Sequence, residues 1–399
     1  MFQLRPPGTG LQSRERADGD AGGIADPPKG EFARLPDGPQ SATDPRQLIR
    51  ARHRSSSVLT IRQTLLSTLC ASAHDEAMDS TAHKLDTDVV IVGGGPAGLS
   101  AALSLGRARR QVLVVDQARP RNRTAPHMHG VLGHDGLPPL KLLEMGRREV
   151  AAYGVRTIVG DAVSARASES GIEVTTTDGV IRARRIIVAT GLTDELPEIP
   201  GLREQWGTGA VVCPYCDGWE HRHHVIGVVA TSPQSVAQAQ LLRQWSDRVV
   251  YFANDVGEPD EAEADALARR DIRVERGAVM SLQISNGRLE GIRLEDRTVP
   301  VDVVFTGPTL RPNDELLRSL GADTTDGPMG SWVTVDRDGR TSIPRVWATG
   351  NVVDPRANVS VSLGLGSLTA GTVNADLVQE DITRAPTKGS TSLASEPSH

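Results

Sequence analysis

One stretch narrows the possible folds more than any other. Asp86-Thr87-Asp88-Val89-Val90-Ile91-Val92 is followed at once by Gly93-Gly94-Gly95-Pro96-Ala97-Gly98. An apolar, β-branched run stopped by glycine reads as a strand buried on both faces of a parallel sheet. Residues 99–107 continue as a helix with a small-residue face, and 111–115 as the next strand, ending at Asp116. A G-x-G-x-x-G turn between strand and helix, with an acid roughly 20 residues on, marks a β-α-β unit that binds a dinucleotide. Gly93 permits the tight turn, Gly95 lets the backbone approach a pyrophosphate, and Gly98 lets helix and strand pack closely. The pyrophosphate would rest on the helix start at Pro96 and Ala97, and Asp116 would accept hydrogen bonds from a ribose. Glycine-rich turns also occur for purely structural reasons; the strand, helix and acid around this one favour binding.

The fold class that follows is α/β, with room in 399 residues for two or three domains. A net charge of −6 gives no basic field for nucleic acid. No apolar run approaches the roughly 20 residues of a membrane span. Three cysteines cannot build a secreted disulfide framework, so a reducing, cytoplasmic compartment is expected. Residues 1–84 are rich in Arg, Pro, Gly and Ser without sustained periodicity, and are expected to be a disordered extension. Residues 61–73 look like a weak signal segment, but lie too far from Met1 and are too short in their apolar core. Met78 stands just ahead of the first strand and is the natural start of such a protein.

Two cysteines two residues apart occur in Val211-Val212-Cys213-Pro214-Tyr215-Cys216-Asp217-Gly218-Trp219. That spacing closes a small disulfide ring that opens and recloses readily, which suits electron transfer better than stapling. Upstream, residues 119–135 form a loop dense in Arg, Asn and His. If it is extended, His127 and His129 face one side, where a histidine could carry a proton; a solvated basic loop is the plainer alternative. Downstream, 224–230, 235–245 and 248–252 repeat a strand–helix–strand rhythm. Its turn, Ala230-Thr231-Ser232-Pro233-Gln234-Ser235, has no close-approach glycine. Ala253-Asn254-Asp255 and an acidic run to Asp265 stand where a 2′-phosphate would need Arg or Lys. A second dinucleotide site for NADPH is either lost or binds by another geometry.

From Asp86 to Asp381 the chain resembles the low-molecular-weight thioredoxin reductases. The resemblance rests on Gly93–Gly98, the Ala189-Thr190-Gly191 turn, Cys213-Pro214-Tyr215-Cys216-Asp217-Gly218, and Thr341-Ser342-Ile343-Pro344 leading to Gly350-Asn351-Val352-Val353-Asp354. It implies two Rossmann-like three-layer domains. An FAD-binding domain over 85–200 and 311–382 would be split by an inserted NAD(P)-type domain over 201–310 carrying the cysteines, with 383–399 a disordered tail. It implies FAD held by the first and last segments, and a homodimer. Cys216 would face the flavin, Cys213 would attack a substrate disulfide, and Asp217 would be the acid/base. Asn351 replaces the family's usual Asp beside the ribityl chain, Asn358-Val359 replace an Arg-Gln pair, and Asp116 replaces the commoner Glu.

The degraded second unit and the His127-Met128-His129-Gly130 loop resemble a divergent branch that includes dithiol oxidases. Two directions of electron flow therefore stand open. One is a reductase fed by NAD(P)H and acting on a thioredoxin-like protein or a small disulfide. The other is an oxidase fed by a small dithiol and emptied by oxygen. A third class is a zinc-binding structural module using Cys213, Cys216, His221, His223 and His224, with spacing short for a zinc ribbon. The plain reading of those histidines is a solvated turn.

Overall fold

The computed structural model describes residues 85–385. The expected N-terminal extension, Met78, Cys70 and the end of the tail lie outside the described residues.

The valine-rich run folds as β1 (Leu85–Val92) at the centre of a seven-stranded sheet. From it the chain enters α1 (Pro96–Arg107), β2 (Val112–Asp116), α2 (Pro139–Ala152) and β3 (Arg156–Val159). The hairpin β4 (Ala162–Ser168) and β5 (Gly171–Thr176) leads into the long strand β6 (Gly179–Val188). The sheet order is β3-β2-β1-β6-β5-β4. β1 pairs in parallel with β2 and β6, while the hairpin joins β6 antiparallel. Val89, Val90 and Ile91 are wholly buried because both faces of this sheet are covered.

The chain then leaves this sheet through β7 (Leu192–Glu195), the short helix α3 (Leu202–Gln205) and β8 (Ala210–Val211). A one-turn helix α4 (Pro214–Asp217) carries the cysteines. Next come β9 (Ile226–Val229), α5 (Ser235–Leu242), β10 (Val249–Phe252), α6 (Glu261–Ala268) and β11 (Arg273–Glu275). The meander β12 (Ser281–Ser285), β13 (Arg288–Arg293) and β14 (Thr298–Pro300) precedes β15 (Val303–Thr306). The second sheet is parallel, in the order β11-β10-β9-β15-β8. Alternate residues of its strands point to two different cores. Val228, Tyr251 and Phe305 meet Val236, Ala239, Leu242 and Leu267 from α5 and α6. Val229, Phe252 and Val304 meet Leu282, Ile292 and Val299 from the meander. The third layer of this unit is thus an antiparallel sheet where a helix layer would ordinarily lie.

The return path runs through β16 (Thr309–Pro312), antiparallel to β7, then α7 (Glu315–Ser319) and the hairpin β17 (Thr324–Gly327) and β18 (Gly330–Val333). β19 (Val346–Ala348) rejoins the first sheet beside β6, and α8 (Val359–Arg384) closes the fold over α1. The Asn358 side chain caps α8 by accepting from the Val361 amide at 2.9 Å. Gly366 makes the α1–α8 contact possible: a Cβ there would lie 2.1 Å from the carbonyl oxygen of Ala97. The far end of α8 is fixed electrostatically. Arg185, 4% exposed, has its charge met by Asp376 and Glu380 of α8. Among the described residues no helix is long and apolar enough to cross a membrane.

Candidate active site

α4 follows the edge strand β8, and Cys213 and Cys216 lie at its two ends as a disulfide with Cα atoms 5.2 Å apart. The amides of Cys216 and Asp217 both donate to the Cys213 carbonyl at 3.1 Å, which defines the single turn. Gly218 is required by packing. A Cβ there would stand 2.4 Å from the Pro214 carbonyl oxygen and 2.9 Å from the Trp245 ring. Trp245 meets Tyr215 edge-on at 5.4 Å, which steadies an aromatic ring that is 71% exposed beside the disulfide. Gln238 of α5 donates to the Val212 carbonyl at 2.9 Å and anchors the approach.

Asp217 ends the turn. Burial, and then the negative charge of Glu220, push its carboxyl up to about 6, with His129 opposing the shift. His129 comes from the loop after β2. Its Nε2 lies 3.5 Å from Glu220 and its Nδ1 3.4 Å from Asp135. The Gly130 amide and His129 hold the Asp135 carboxyl below its usual range. The loop thus brings one histidine to the cysteine segment. His127 stays exposed on the other side of buried Met128, with no side-chain partner among the described residues.

The histidines after Trp219 are not all in a solvated turn. His221 is half-buried, edge-on to Phe305 at 6.3 Å, and its Nδ1 faces that of His224 at 3.0 Å. Burial, followed by the charge of His224, lowers its pKa. The expected solvated turn is present, with His223 and His224 exposed, and only His221 is drawn against Phe305 of β15. Among the described residues no group of three or more His, Cys, Asp or Glu side chains is placed to hold a metal.

The predicted nucleotide residues converge at the carboxyl ends of β1, β2, β6 and β19. This is the edge of an open parallel sheet at which ligands bind. Gly93 has φ +106°, and a Cβ there would strike the Ala189 carbonyl oxygen at 2.3 Å. A Cβ on Gly98 would meet the Gly93 oxygen at 1.9 Å, whereas one on Gly95 would find nothing within 4 Å. The open backbone at Gly95, at the start of α1, is a cradle that would fit a pyrophosphate. Gly350, φ +77°, comes within 2.8 Å of the Ala97 side chain by the same test. Beside it the Thr349 hydroxyl is buried and has no hydrogen-bond partner among the described residues. Thr190 and Gly191 are tied to the returning chain. The Thr190 hydroxyl donates to the Asn313 carbonyl at 2.6 Å, and the Asn313 amide donates to Gly191 O at 3.0 Å. These residues fit FAD, with Asp116 placed for its ribose.

Sequence reasoning missed several partners. Gly94 is needed too: its amide donates to Asp116 at 3.0 Å, and a Cβ would collide with that carboxyl at 2.7 Å. Arg147 approaches the other oxygen of Asp116 at 3.2 Å. Asn351 spends both amide hydrogens internally, on the carbonyls of Asp354 and Ala357, so it can only accept from a ribityl hydroxyl. Arg147 belongs to no sequence motif, and Arg121, which donates to Asn351, stood out only as one of several arginines in the 119–135 loop.

The second unit does not fit NADPH. The amides of Thr231 and Ser232, which a pyrophosphate would need, point at the Ser235 hydroxyl at 3.1 and 3.4 Å. After β10, Asn254 turns inward, donating to Ala230 O and accepting from the Val279 amide. Beyond it α6 opens with Glu261 and Glu263, and no Arg or Lys stands between Phe252 and Arg269 to meet a 2′-phosphate.

Residues 87–372 match the pyridine nucleotide-disulphide oxidoreductase family. A probable thioredoxin reductase of Arthroderma benhamiae is 34% identical over 175 residues, 42% of this chain and 43% of that relative. The thioredoxin reductase tcpT of Claviceps purpurea is 32% identical over 66% of this chain and 86% of its own. Among solved structures, HlmI is 45% identical, with a TM-score of 0.71, over 75% of this chain and 94% of its own. With its two Rossmann-type sheets, its FAD-fitting cradle and its Cys-x-x-Cys turn, the chain belongs to the pyridine nucleotide-disulphide oxidoreductase family, as a thioredoxin reductase-like flavoenzyme.

Proposed function

We propose that this protein is a flavin-dependent thiol–disulfide oxidoreductase working through Cys213 and Cys216, and that it runs as a dithiol oxidase. The observation that carries the direction is the turn before α5, whose amides are occupied by Ser235. With no fitting site for NADPH, electrons enter from a substrate dithiol. The first substrate thiolate attacks Cys213 Sγ and breaks the Cys213–Cys216 bond, giving a mixed disulfide. The second thiolate attacks the substrate sulfur of that bond, so the substrate leaves as a disulfide and both cysteines are reduced. Two electrons and two protons have then left the substrate. Asp217 takes a proton as its carboxylate, and its raised pKa lets it hold that proton near neutral pH. His129, paired with Glu220, stands next in line to pass it on. When bound in the cradle, FAD supplies the two-electron link from the reduced pair to oxygen, which departs as hydrogen peroxide.

The exposed rings of Tyr215 and Trp219 beside the disulfide suit a small-molecule dithiol. The second reading, an NAD(P)H-fed reductase of a thioredoxin-like protein, is favoured by the names of the Arthroderma and Claviceps relatives. We place either activity in the cytoplasm, on the low cysteine count. An oxygen electrode separates the two readings. Dithiothreitol alone should drive uptake of one oxygen, with one peroxide formed per dithiol, and added NADPH should change nothing. Disulfide reduction sustained by NADPH would make this a reductase.

A further inference from the structure

A chain of side-chain contacts leads away from the cofactor cradle into the connector between the two sheets. Arg121, in the turns after β2, makes two parallel bonds to Asp194: Nε to Oδ2 at 2.8 Å and Nη2 to Oδ1 at 2.7 Å. Its third nitrogen donates to Asn351 Oδ1 at 3.3 Å. Asn351 Nδ2 donates onward to Asp354 O at 2.9 Å and Ala357 O at 2.8 Å, immediately before the Asn358 cap of α8. Segments far apart in sequence meet in one line of bonds. The pair is sheltered, with side chains 29% and 10% exposed, and a bidentate fork is the strong form of such a contact.

The two ends of that line differ in kind. Asp194 lies in β7, and β7 with β16 is the two-stranded ribbon through which the chain leaves the first sheet and returns. Among the described residues its carboxylate bonds to Arg121 alone. Asn351 follows Gly350 in the cradle that fits FAD. The residue types are those the line requires. Lysine has no planar fork to grip Asp194 and reach Asn351 together. Aspartate at 351 would set a carboxylate against two carbonyl oxygens with no hydrogen to share.

We propose that Arg121 is a positioning residue that ties the β7–β16 ribbon to the cofactor cradle, coupling FAD binding to the fixing of the connector through Asp194 and Asn351. The proposal rests on the FAD reading and is independent of the direction of electron flow. Such coupling is reciprocal: FAD must steady the ribbon, and releasing the ribbon must loosen FAD.

The test uses the full chain with FAD, and the variants Asp194→Asn, Arg121→Ala, Arg121→Lys and the double variant Asp194→Asn/Arg121→Ala. The FAD dissociation constant is read from the fluorescence regained on release, and ribbon exposure from the rate of protease cleavage with and without FAD. Asp194→Asn should weaken FAD about tenfold, within the usual range of site-to-site coupling. The double variant should be no weaker than Arg121→Ala, and FAD should protect the ribbon in the wild type only. Arg121→Lys, which keeps the charge and guards against a misfolded Ala variant, should fall between. An Asp194→Asn protein that binds FAD within twofold of wild type, or additive losses in the double variant, would overturn the proposal. A wild type that refuses FAD altogether would sink the cofactor reading and the proposal with it, a result distinguishable from failure of the coupling alone.

Discussion

In the proposed mechanism Asp217 is the carboxyl that carries the proton. Its pKa moves from 3.8 to about 6 because burial and Glu220 disfavour the charged form. As a base it must be ionised, so the rate of disulfide opening should rise with pH through about 6. Asp217→Asn should flatten that limb of the pH–rate profile; an unchanged limb would remove Asp217 from the mechanism. The sign for stability is opposite. A raised carboxyl pKa favours the folded state below 3.8, and that advantage is lost as pH rises through 6. Asp217→Asn should therefore gain roughly 1–3 kcal/mol relative to wild type at pH 7.5, and little at pH 4, in denaturant titrations. Cys216→Ser should leave FAD bound but stop turnover; retained turnover would refute the assigned roles. Cys213 and Cys216 were legible as a redox pair from their local spacing, whereas Asp217 was singled out only through the family resemblance. Glu220 and Arg147 were not legible, since their effect comes from a fold that sets them against remote side chains. His129 was legible only as one of two candidates, and buried Met128 separates the pair.

At the scale of elements, the alternation of apolar strand, glycine turn and small-faced helix identified β1, α1 and β2 directly. The strand–helix–strand rhythm of β9, α5 and β10 was equally plain. The meander β12–β14 escaped, because strands of five, six and three residues are too short to show a period. α8 runs over 26 residues, and its glycines hide the helical pattern in the sequence. Gly366 shows what those glycines are for. Gly366→Val should cost roughly 1–3 kcal/mol by overpacking α1 against α8, measurable as a lowered denaturation midpoint. An unchanged midpoint would mean that the helices can separate freely. The second turn makes a separate prediction. NADPH at millimolar concentration should neither shift the melting temperature nor be retained in equilibrium dialysis. Micromolar binding would show that Ser235 can yield its amides.

At the scale of the whole molecule, one mixed and one parallel sheet, a two-stranded connector and a closing helix make up the described fold. The homodimer implied by the family resemblance has a suitable face. Val361, Leu368, Val378 and Ile382 of α8 are 44, 50, 43 and 62% exposed, and fall on one side of the helix with Gly364, Gly371 and Ala375. We propose that a second copy covers this stripe; light scattering should give twice the chain mass, and Leu368→Glu should halve it. The central claim, that electrons enter from a dithiol rather than from NADPH, is tested most directly by an anaerobic titration followed by flavin absorbance. The account predicts that a dithiol bleaches the yellow protein and that air restores the colour with release of peroxide, while NADPH leaves the spectrum unchanged. Bleaching by micromolar NADPH would contradict it.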